Sequence, residues 1–186
     1  MFARTERLLL RPGWGEDAPA LCEAIRDQGI VRNLATAPWP YQLSDAEAFL
    51  ARERGPNEAA CLIFLRTLRA PKLIGGIGFG RMPDGGHEFG YWIGRSYWGL
   101  GFATEALRGF VAEAQKHAPL EAGHFIDNPA SGRVLRKLGF RATGVVAERY
   151  SAGRRAEAPC RLFELAMAGE AKAEADTGEA PCAMAA

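Results

Sequence analysis

The chain has 186 residues, 48% hydrophobic and 24% charged, which fits one soluble globular domain with room for a real core. A formal net charge of +1 gives no bulk electrostatic reason to bind nucleic acid or an anionic membrane. No uninterrupted apolar run is long enough to span a bilayer, and Met1 to Arg7 lacks the apolar centre of a signal peptide, so a cytoplasmic location is expected.

Thr5 to Arg11 reads as a first strand, ended by Pro12-Gly13. Asp17 is the expected cap of a first helix whose apolar stripe is Leu21, Cys22, Ala24 and Ile25, and Gly29 ends or interrupts it. Val31 to Trp39 follows no regular pattern. Ser44 and Glu47 have the spacing of a capping box for a second helix, with Phe49 and Leu50 turned to the core. Ala59 to Arg66 and Lys72 to Arg81 read as a hairpin of two strands, and Glu88 to Ile93 as a buried fourth strand. From Ala103 the apolar residues Ala106, Leu107, Phe110, Val111 and Ala114 fall at helical spacing. Leu120 to Ile126 is a fifth strand, and Gly132 to Leu138 a short helix closed by Gly139. Phe140 to Val146 and Arg161 to Met167 are the last two strands. Residues 1–168 form one domain, and the Ala/Glu-rich segment 169–186 is expected to be disordered. Helices alternating with antiparallel hairpins imply an α+β fold: a mixed, mostly antiparallel twisted sheet with helices on both faces.

Cys22, Cys61, Cys160 and Cys182 show no C-x-x-C pair, so neither a zinc ribbon nor a thioredoxin-type site is expected, and the first three read as buried free thiols. His87, His117 and His124 are scattered, without a metal-ligand cluster.

The stretch between the fourth strand and the long helix carries the chemistry. Gly94-Arg95-Ser96-Tyr97-Trp98-Gly99-Leu100-Gly101 joins a strand to a helix start, where unpaired backbone N–H groups and the peptide dipoles attract anions. Glycines let the backbone approach a phosphate, and Arg95 is expected to add a full charge. The loop is not a Walker loop, because no Lys-Ser or Lys-Thr follows, and it lacks the third glycine of the dinucleotide fingerprint.

Trp98-Gly99-Leu100-Gly101-Phe102-Ala103-Thr104-Glu105-Ala106 resembles the acetyl-CoA pyrophosphate loop of GNAT N-acetyltransferases, closest to the ribosomal-protein (RimJ/RimL) branch, with Trp98 where the broad family usually has Gln or Arg. Asn128-Pro129-Ala130-Ser131-Gly132-Arg133-Val134-Leu135-Arg136-Lys137-Leu138-Gly139-Phe140 resembles the family's second hallmark, and Thr5 to Pro12 its first strand. The resemblance covers about Thr5 to Met167. It implies acetyl-CoA as co-substrate, no metal, and a sheet splayed between the fourth and fifth strands. Pantetheine amides would pair with backbone at Ile93, Gly94 and Arg95, and the pyrophosphate would sit on the N–H groups from Gly99 through Leu100, Gly101, Phe102 and Ala103 to Thr104. Asn128 would hydrogen-bond the pantetheine arm; the alternative is a turn-forming side chain before Pro129.

Many relatives carry a Tyr after this Asn to protonate the departing thiolate, and the matching residue here is Leu135. In the RimL-like branch a serine takes that role, which Ser131 matches; the alternative is a helix-capping hydroxyl. Glu88 stands where relatives often carry a Glu, and is the candidate base, on the strand face opposite His87, Phe89, Tyr91 and Ile93; the alternatives are an exposed or ion-paired strand Glu, and His87 as the rival base. With no cysteine near either motif, direct attack in a ternary complex is expected over an acyl-enzyme. Trp39-Pro40-Tyr41 and Tyr150 to Arg155 are expected to rim the acceptor pocket or to pack as core. A lone Glu suits an amine with pKa near 8 better than lysine near 10.4, which favours a peptide N-terminus or a small-molecule amine. Monomer and homodimer both remain open, and a non-catalytic acyl-CoA-binding module is the alternative reading.

Overall fold

The structure is a computed structural model that describes residues 2–55, 58–81, 87–114 and 120–165. Among the described residues, eight strands form one sheet: β1 (Ala3–Arg4), β2 (Leu8–Arg11), β3 (Ala59–Leu65), β4 (Lys72–Arg81), β5 (His87–Ile93), β6 (Leu120–Phe125), β7 (Arg141–Ser151) and β8 (Ala156–Leu165). Their order is β1-β2-β3-β4-β5-β6-β8-β7. Every pairing is antiparallel except β5 with β6. The helices are α1 (Ala18–Ile25), α2 (Gln28–Val31), α3 (Leu43–Ala51), α4 (Phe102–Ala114) and α5 (Pro129–Lys137).

The alternation of side chains along the strands builds two cores. On β3, Cys61 and Ile63 join Phe89, Phe110, Leu135 and Phe163 beneath α4 and α5. Leu62 and Phe64 face the other way and pack with Leu21, Ile25, Val31 and Tyr41 beneath α1 to α3. The sheet is therefore covered on both faces, as the α+β reading requires.

The first strand differs from its expected form. Thr5 N–H bonds to Leu8 C=O at 3.0 Å, so Thr5-Glu6-Arg7 is a turn between β1 and β2. The fourth and fifth strands of the sequence reading are thus β5 and β6. Helix starts move as well. Asp17 makes no side-chain cap to α1; its carboxylate accepts from Trp14 N–H at 2.8 Å and pairs with Arg11. The second predicted helix, α3, begins at Leu43, and Asp45 rather than Glu47 reaches back, accepting from Gln42 N–H at 2.8 Å. Leu50 packs on the core, but Phe49 is 40% exposed beneath the Arg54 guanidinium. β8 begins at Ala156, which makes the final hairpin longer than its apolar pattern suggests. The turn at Asp84-Gly85-Gly86, His117, Met167 and the 169–186 segment lie outside the described residues.

The decisive feature is the β5–β6 pair. Its register holds only at Glu88↔Glu121 and Phe89↔Ala122, although β5 continues to Ile93 and β6 to Phe125. Beyond Phe89 the strands part, as the splayed sheet demands.

Candidate active site

The loop leaving β5 contains two left-handed glycines, Gly99 (φ +76°) and Gly101 (φ +82°), just before α4 begins at Phe102. That backbone is costly for a residue with a Cβ, so glycine is required at both. A Cβ at Gly99 would meet nothing within 4 Å, which leaves the loop open on that side. A helix start approached through such a turn presents converging N–H donors to an anion.

The loop is braced from the β1–β2 turn. Thr5 Oγ1 donates to Glu105 Oε1 at 2.5 Å, Arg7 N–H to the same oxygen at 2.8 Å, and Arg7 Nε to Glu105 Oε2 at 2.7 Å. Arg7 Nη1 also donates to Leu100 C=O at 3.2 Å, and its guanidinium lies 4.4 Å from the Phe102 ring centre. Burial alone would raise the Glu105 pKa, but the bonds from Thr5 and Arg7 outweigh it and hold the carboxyl below its ordinary value. Reading Thr5 to Arg11 as continuous strand hid this brace. The polar Thr5-Glu6-Arg7 ahead of the apolar Leu8-Leu9-Leu10 was the signal for a turn.

Arg95 is placed differently from its expected role. Its guanidinium pairs with Asp27 at 2.6 and 3.0 Å, which depresses the Asp27 pKa, and lies 4.8 Å from the Trp98 ring. Its charge is committed to the residue that caps α2. Trp98 Nε1 donates to Ile93 C=O at 2.6 Å, and Gly94 N–H donates to Ile74 C=O at 2.7 Å. Strand groups alternate between edges, so Gly94 and Trp92 face β4, while the backbone groups of Tyr91 and Ile93 face the gap. With the Gly94 donor used, the gap offers the N–H groups of Tyr91 and Ile93. Gly94, Arg95 and Leu100 do not line the cleft.

The cleft has a volume of about 670 Å³ and is lined by Glu88, Ile93, Gly99, Thr104, Asn128 and Ser131, among others; Trp98, Gly101, Phe102 and Ala103 also reach it. Asn128 is the residue before α5 yet makes no side-chain cap, so its amide is not spent on the turn. Ser131, inside the first turn of α5, is no cap either: its Oγ accepts from Tyr91 Oη at 3.0 Å. Leu135 is buried in the core and offers no hydroxyl. Burial pushes the Tyr91 phenol up to about 12, so it stays protonated.

Glu88 is half-buried at the last residues where β5 and β6 still pair, on the face opposite Phe89. In register on β4 stands Gly80, whose missing side chain leaves space above it. Cys160, remote in sequence, comes close: a Cβ on Gly123 would lie 2.7 Å from its sulfur and 3.6 Å from Glu88 Oε1. Burial, and then the Glu88 charge, push the Cys160 thiol up to about 11, so it is no nucleophile at neutral pH. Cys22 and Cys61 are also buried and in no disulfide.

His124, set aside in the sequence, also lines the cleft. Its Nδ1 lies 2.9 Å from Phe125 C=O and its ring packs on Phe163. A Cβ on Gly132 would fall 2.5 Å from Nε2, so this glycine lets α5 settle on the imidazole and fixes the adjoining Ser131. No group of three or more His, Cys, Asp or Glu gathers as a metal site among the described residues.

Beyond α2, Asn33, Leu34, Ala35 and Thr36 line the cleft. Tyr41 is buried in the core and the half-buried Trp39 packs against it, and neither lines the cleft. The tip of the β7–β8 hairpin lies against this loop: Ala152 N–H donates to Ala35 C=O at 2.9 Å, and Ser151 Oγ is 2.8 Å from Leu34 C=O. Arg154 grips Asp127 at 2.8 and 2.9 Å, tying the tip to the residue before Asn128. Tyr150 points to solvent.

An open helix start, a parted strand pair and a cleft between them fit an elongated ligand with an anionic centre and an amide-bearing arm. The Acetyltransferase (GNAT) domain profile matches residues 7–141. The chain belongs to the GNAT acetyltransferase family. Two Bacillus relatives agree with the assignment. "Uncharacterized N-acetyltransferase p20" of Bacillus licheniformis is 28% identical over 155 residues, covering 77% of this chain and 84% of that protein. "Uncharacterized N-acetyltransferase YoaA" of Bacillus subtilis (strain 168) is 28% identical over 154 residues, covering 77% and 85%. Among solved structures, a GNAT-family acetyltransferase from Bacillus anthracis shares the fold with a TM-score of 0.74 at 22% identity, over 90% of this chain and 99% of that one. RimL, a ribosomal L7/L12 alpha-N-protein acetyltransferase solved with coenzyme A, gives 0.72 at 17% identity, over 90% and 98%. The protein is thus an acetyl-CoA-dependent N-acetyltransferase of GNAT fold.

Proposed function

We propose that this GNAT enzyme acetylates a protein N-terminal α-amine or a small-molecule amine, in the manner of the RimJ/RimL branch, by direct attack in a ternary complex. The observation that carries the reading is the parted β5–β6 pair opening beside the Gly99–Gly101 helix start, with Glu88 and Ser131 lining the same cleft. Acetyl-CoA supplies the activated acetyl group. The N–H groups from Gly99 to Thr104 hold its pyrophosphate. The Asn128 amide and the gap-facing groups of β5 hold its arm. An N–H of Tyr91 or Ile93 stabilises the oxyanion of the tetrahedral intermediate.

Glu88 takes the ammonium proton, directly or through water, at the point where the strands diverge. The acceptor enters past Asn33 to Thr36, beneath the hairpin tip. Most of the rate enhancement comes from holding the two reactants together. Buried thiols in no disulfide suit a reducing compartment, and we place the enzyme in the cytoplasm.

The test is a thiol-release screen of acetyl-CoA against N-terminal peptides, small amines and lysine side-chain mimics, with the acetylated product identified by mass spectrometry. Release with α-amines or small amines, and little with lysine mimics, is expected. Release with lysine mimics and none with α-amines or small amines would overturn the acceptor assignment.

A further inference from the structure

We infer that Tyr91 is a positioning residue for the leaving-group site: it orients the Ser131 hydroxyl so that this group hydrogen-bonds the departing thiolate. The inference rests on the transferase reading of the cleft.

The geometry comes first. α5 provides no phenol of its own: Pro129–Lys137 contains no tyrosine, and Leu135 is buried in the core. A phenol reaches the site from the opposite wall. Tyr91 lies on β5 three residues beyond Glu88, its ring packed on the core beside Phe89 at 6.3 Å. Its Oη donates to Ser131 Oγ at 3.0 Å, a bond that joins the two elements flanking the gap. Among the described residues this is the only hydrogen bond made by the Ser131 side chain.

A serine hydroxyl rotates to suit its neighbours. Once an Oγ lone pair accepts from Tyr91, the serine proton must point elsewhere. Ser131 lines the cleft, so the open direction is toward the ligand. Without Tyr91 the rotor is free, and its proton can turn back to the helix carbonyls.

The acidities decide what the pair can do. A thiol has an ordinary pKa near 8.5. The Tyr91 phenol, pushed up to about 12 by burial, is a far weaker acid, and a serine hydroxyl is weaker still. Complete proton transfer from either group to a thiolate is uphill. The chain Tyr91–Ser131 therefore acts as a fixed dipole pair aimed at the developing negative charge, and water supplies the proton after departure. Charge-assisted hydrogen bonds of this kind are the stronger ones, and a chain of two reinforces itself.

The decisive experiment needs no amine. The thiol of coenzyme A bound to the protein is titrated by the ultraviolet absorbance of its thiolate, in wild type, Tyr91→Phe and Ser131→Ala. A donor aimed at sulfur lowers the bound thiol's pKa by about one pH unit relative to free coenzyme A. Both variants should return it to the free value while coenzyme A still binds within a few-fold. A bound thiol with the same pKa in all three proteins overturns the inference. Turnover gives an independent arm, once the screen has found an acceptor. Tyr91→Phe should lower kcat about tenfold with KM for acetyl-CoA nearly unchanged, and should cost nothing further in the Ser131→Ala background. Losses that multiply in the double variant would show that Tyr91 acts independently of Ser131 and would overturn the inference. If no α-amine or small amine releases thiol while the bound thiol still titrates low, the acceptor assignment fails and the thiolate site stands.

Discussion

Arg7 and Glu105 stand 98 positions apart in the chain, yet the Arg7 backbone and guanidinium both grip the Glu105 carboxylate, at 2.8 and 2.7 Å. This ties the turn after β1 to the first turn of α4, and Arg7 also holds the Leu100 carbonyl between the two left-handed glycines. An anion site made of backbone donors works only if the backbone is fixed.

Arg7→Ala should therefore weaken acetyl-CoA rather than the chemistry. The Arg7 side chain is 43% exposed, so the loss is modest: about fivefold in KM for acetyl-CoA, equivalent to ~1 kcal/mol, with kcat little changed. Steady-state kinetics at saturating amine check this. A loss in kcat alone would detach the brace from the pyrophosphate loop.

How much of this was written in the sequence depends on whether the cause was local. Gly99, Gly101 and Gly139 announce left-handed backbone by identity, and all three adopt it. Phe110, Leu107 and Ala106 announce the buried face of α4 by spacing, and all three are buried. The brace, the commitment of Arg95 to Asp27, the approach of Cys160 to Glu88 and the Tyr91–Ser131 bond arise from packing between distant elements, which no local pattern encodes. The same holds for α2: Asp27 caps it through Gly29 N–H at 2.7 Å, and the missing side chain of Gly29 leaves room for the Arg95 guanidinium that pairs with Asp27.

The hairpin tip is open to a direct test. A Cβ on Gly153 would lie 2.5 Å from Val31 C=O, and a backbone oxygen cannot swing aside. Gly153→Ala should lift the tip from the acceptor loop and destabilise the fold by roughly 1–3 kcal/mol. KM for the amine should rise, with a smaller loss of acetyl-CoA affinity through the Arg154–Asp127 tie beside Asn128. Calorimetric titration of acetyl-CoA alongside amine kinetics separates the two effects.

Acid should unfold the protein through its clamped carboxylates. Asp27, held by Arg95, and Asp127, held by Arg154 and Arg32, are both depressed below the ordinary Asp value. Asp17 and Glu105 are depressed too, their partners outweighing burial. A depressed carboxyl stabilises the fold above its unfolded pKa, and loses that contribution as pH falls through its folded value. The melting temperature should be flat from pH 7 to 5 and fall below about pH 4. Asp127→Asn should shallow that fall; an unchanged slope would show that the Arg154 clamp contributes no linkage.

The base assignment predicts a particular pH profile. Glu88→Gln keeps the shape but accepts no proton, so kcat/KM for the amine should drop roughly 100-fold or more near neutral pH. The deficit should shrink as pH approaches the amine's own pKa, because more acceptor then arrives neutral. A deficit constant with pH would make Glu88 an orienting group, and no deficit would leave water as the base.

The central claim is that acetyl-CoA lies across the Gly99–Gly101 helix start. Gly101→Glu adds bulk and a negative charge at the helix start, its Cβ 3.5 Å from Arg7 Nη2, at a φ of +82° that already disfavours any side chain. Calorimetric titration with acetyl-CoA, on wild type and on a variant shown to be folded by circular dichroism, is the most direct measurement. Saturable binding to wild type and none to Gly101→Glu is the predicted result. Equal affinity in the folded variant would contradict the account.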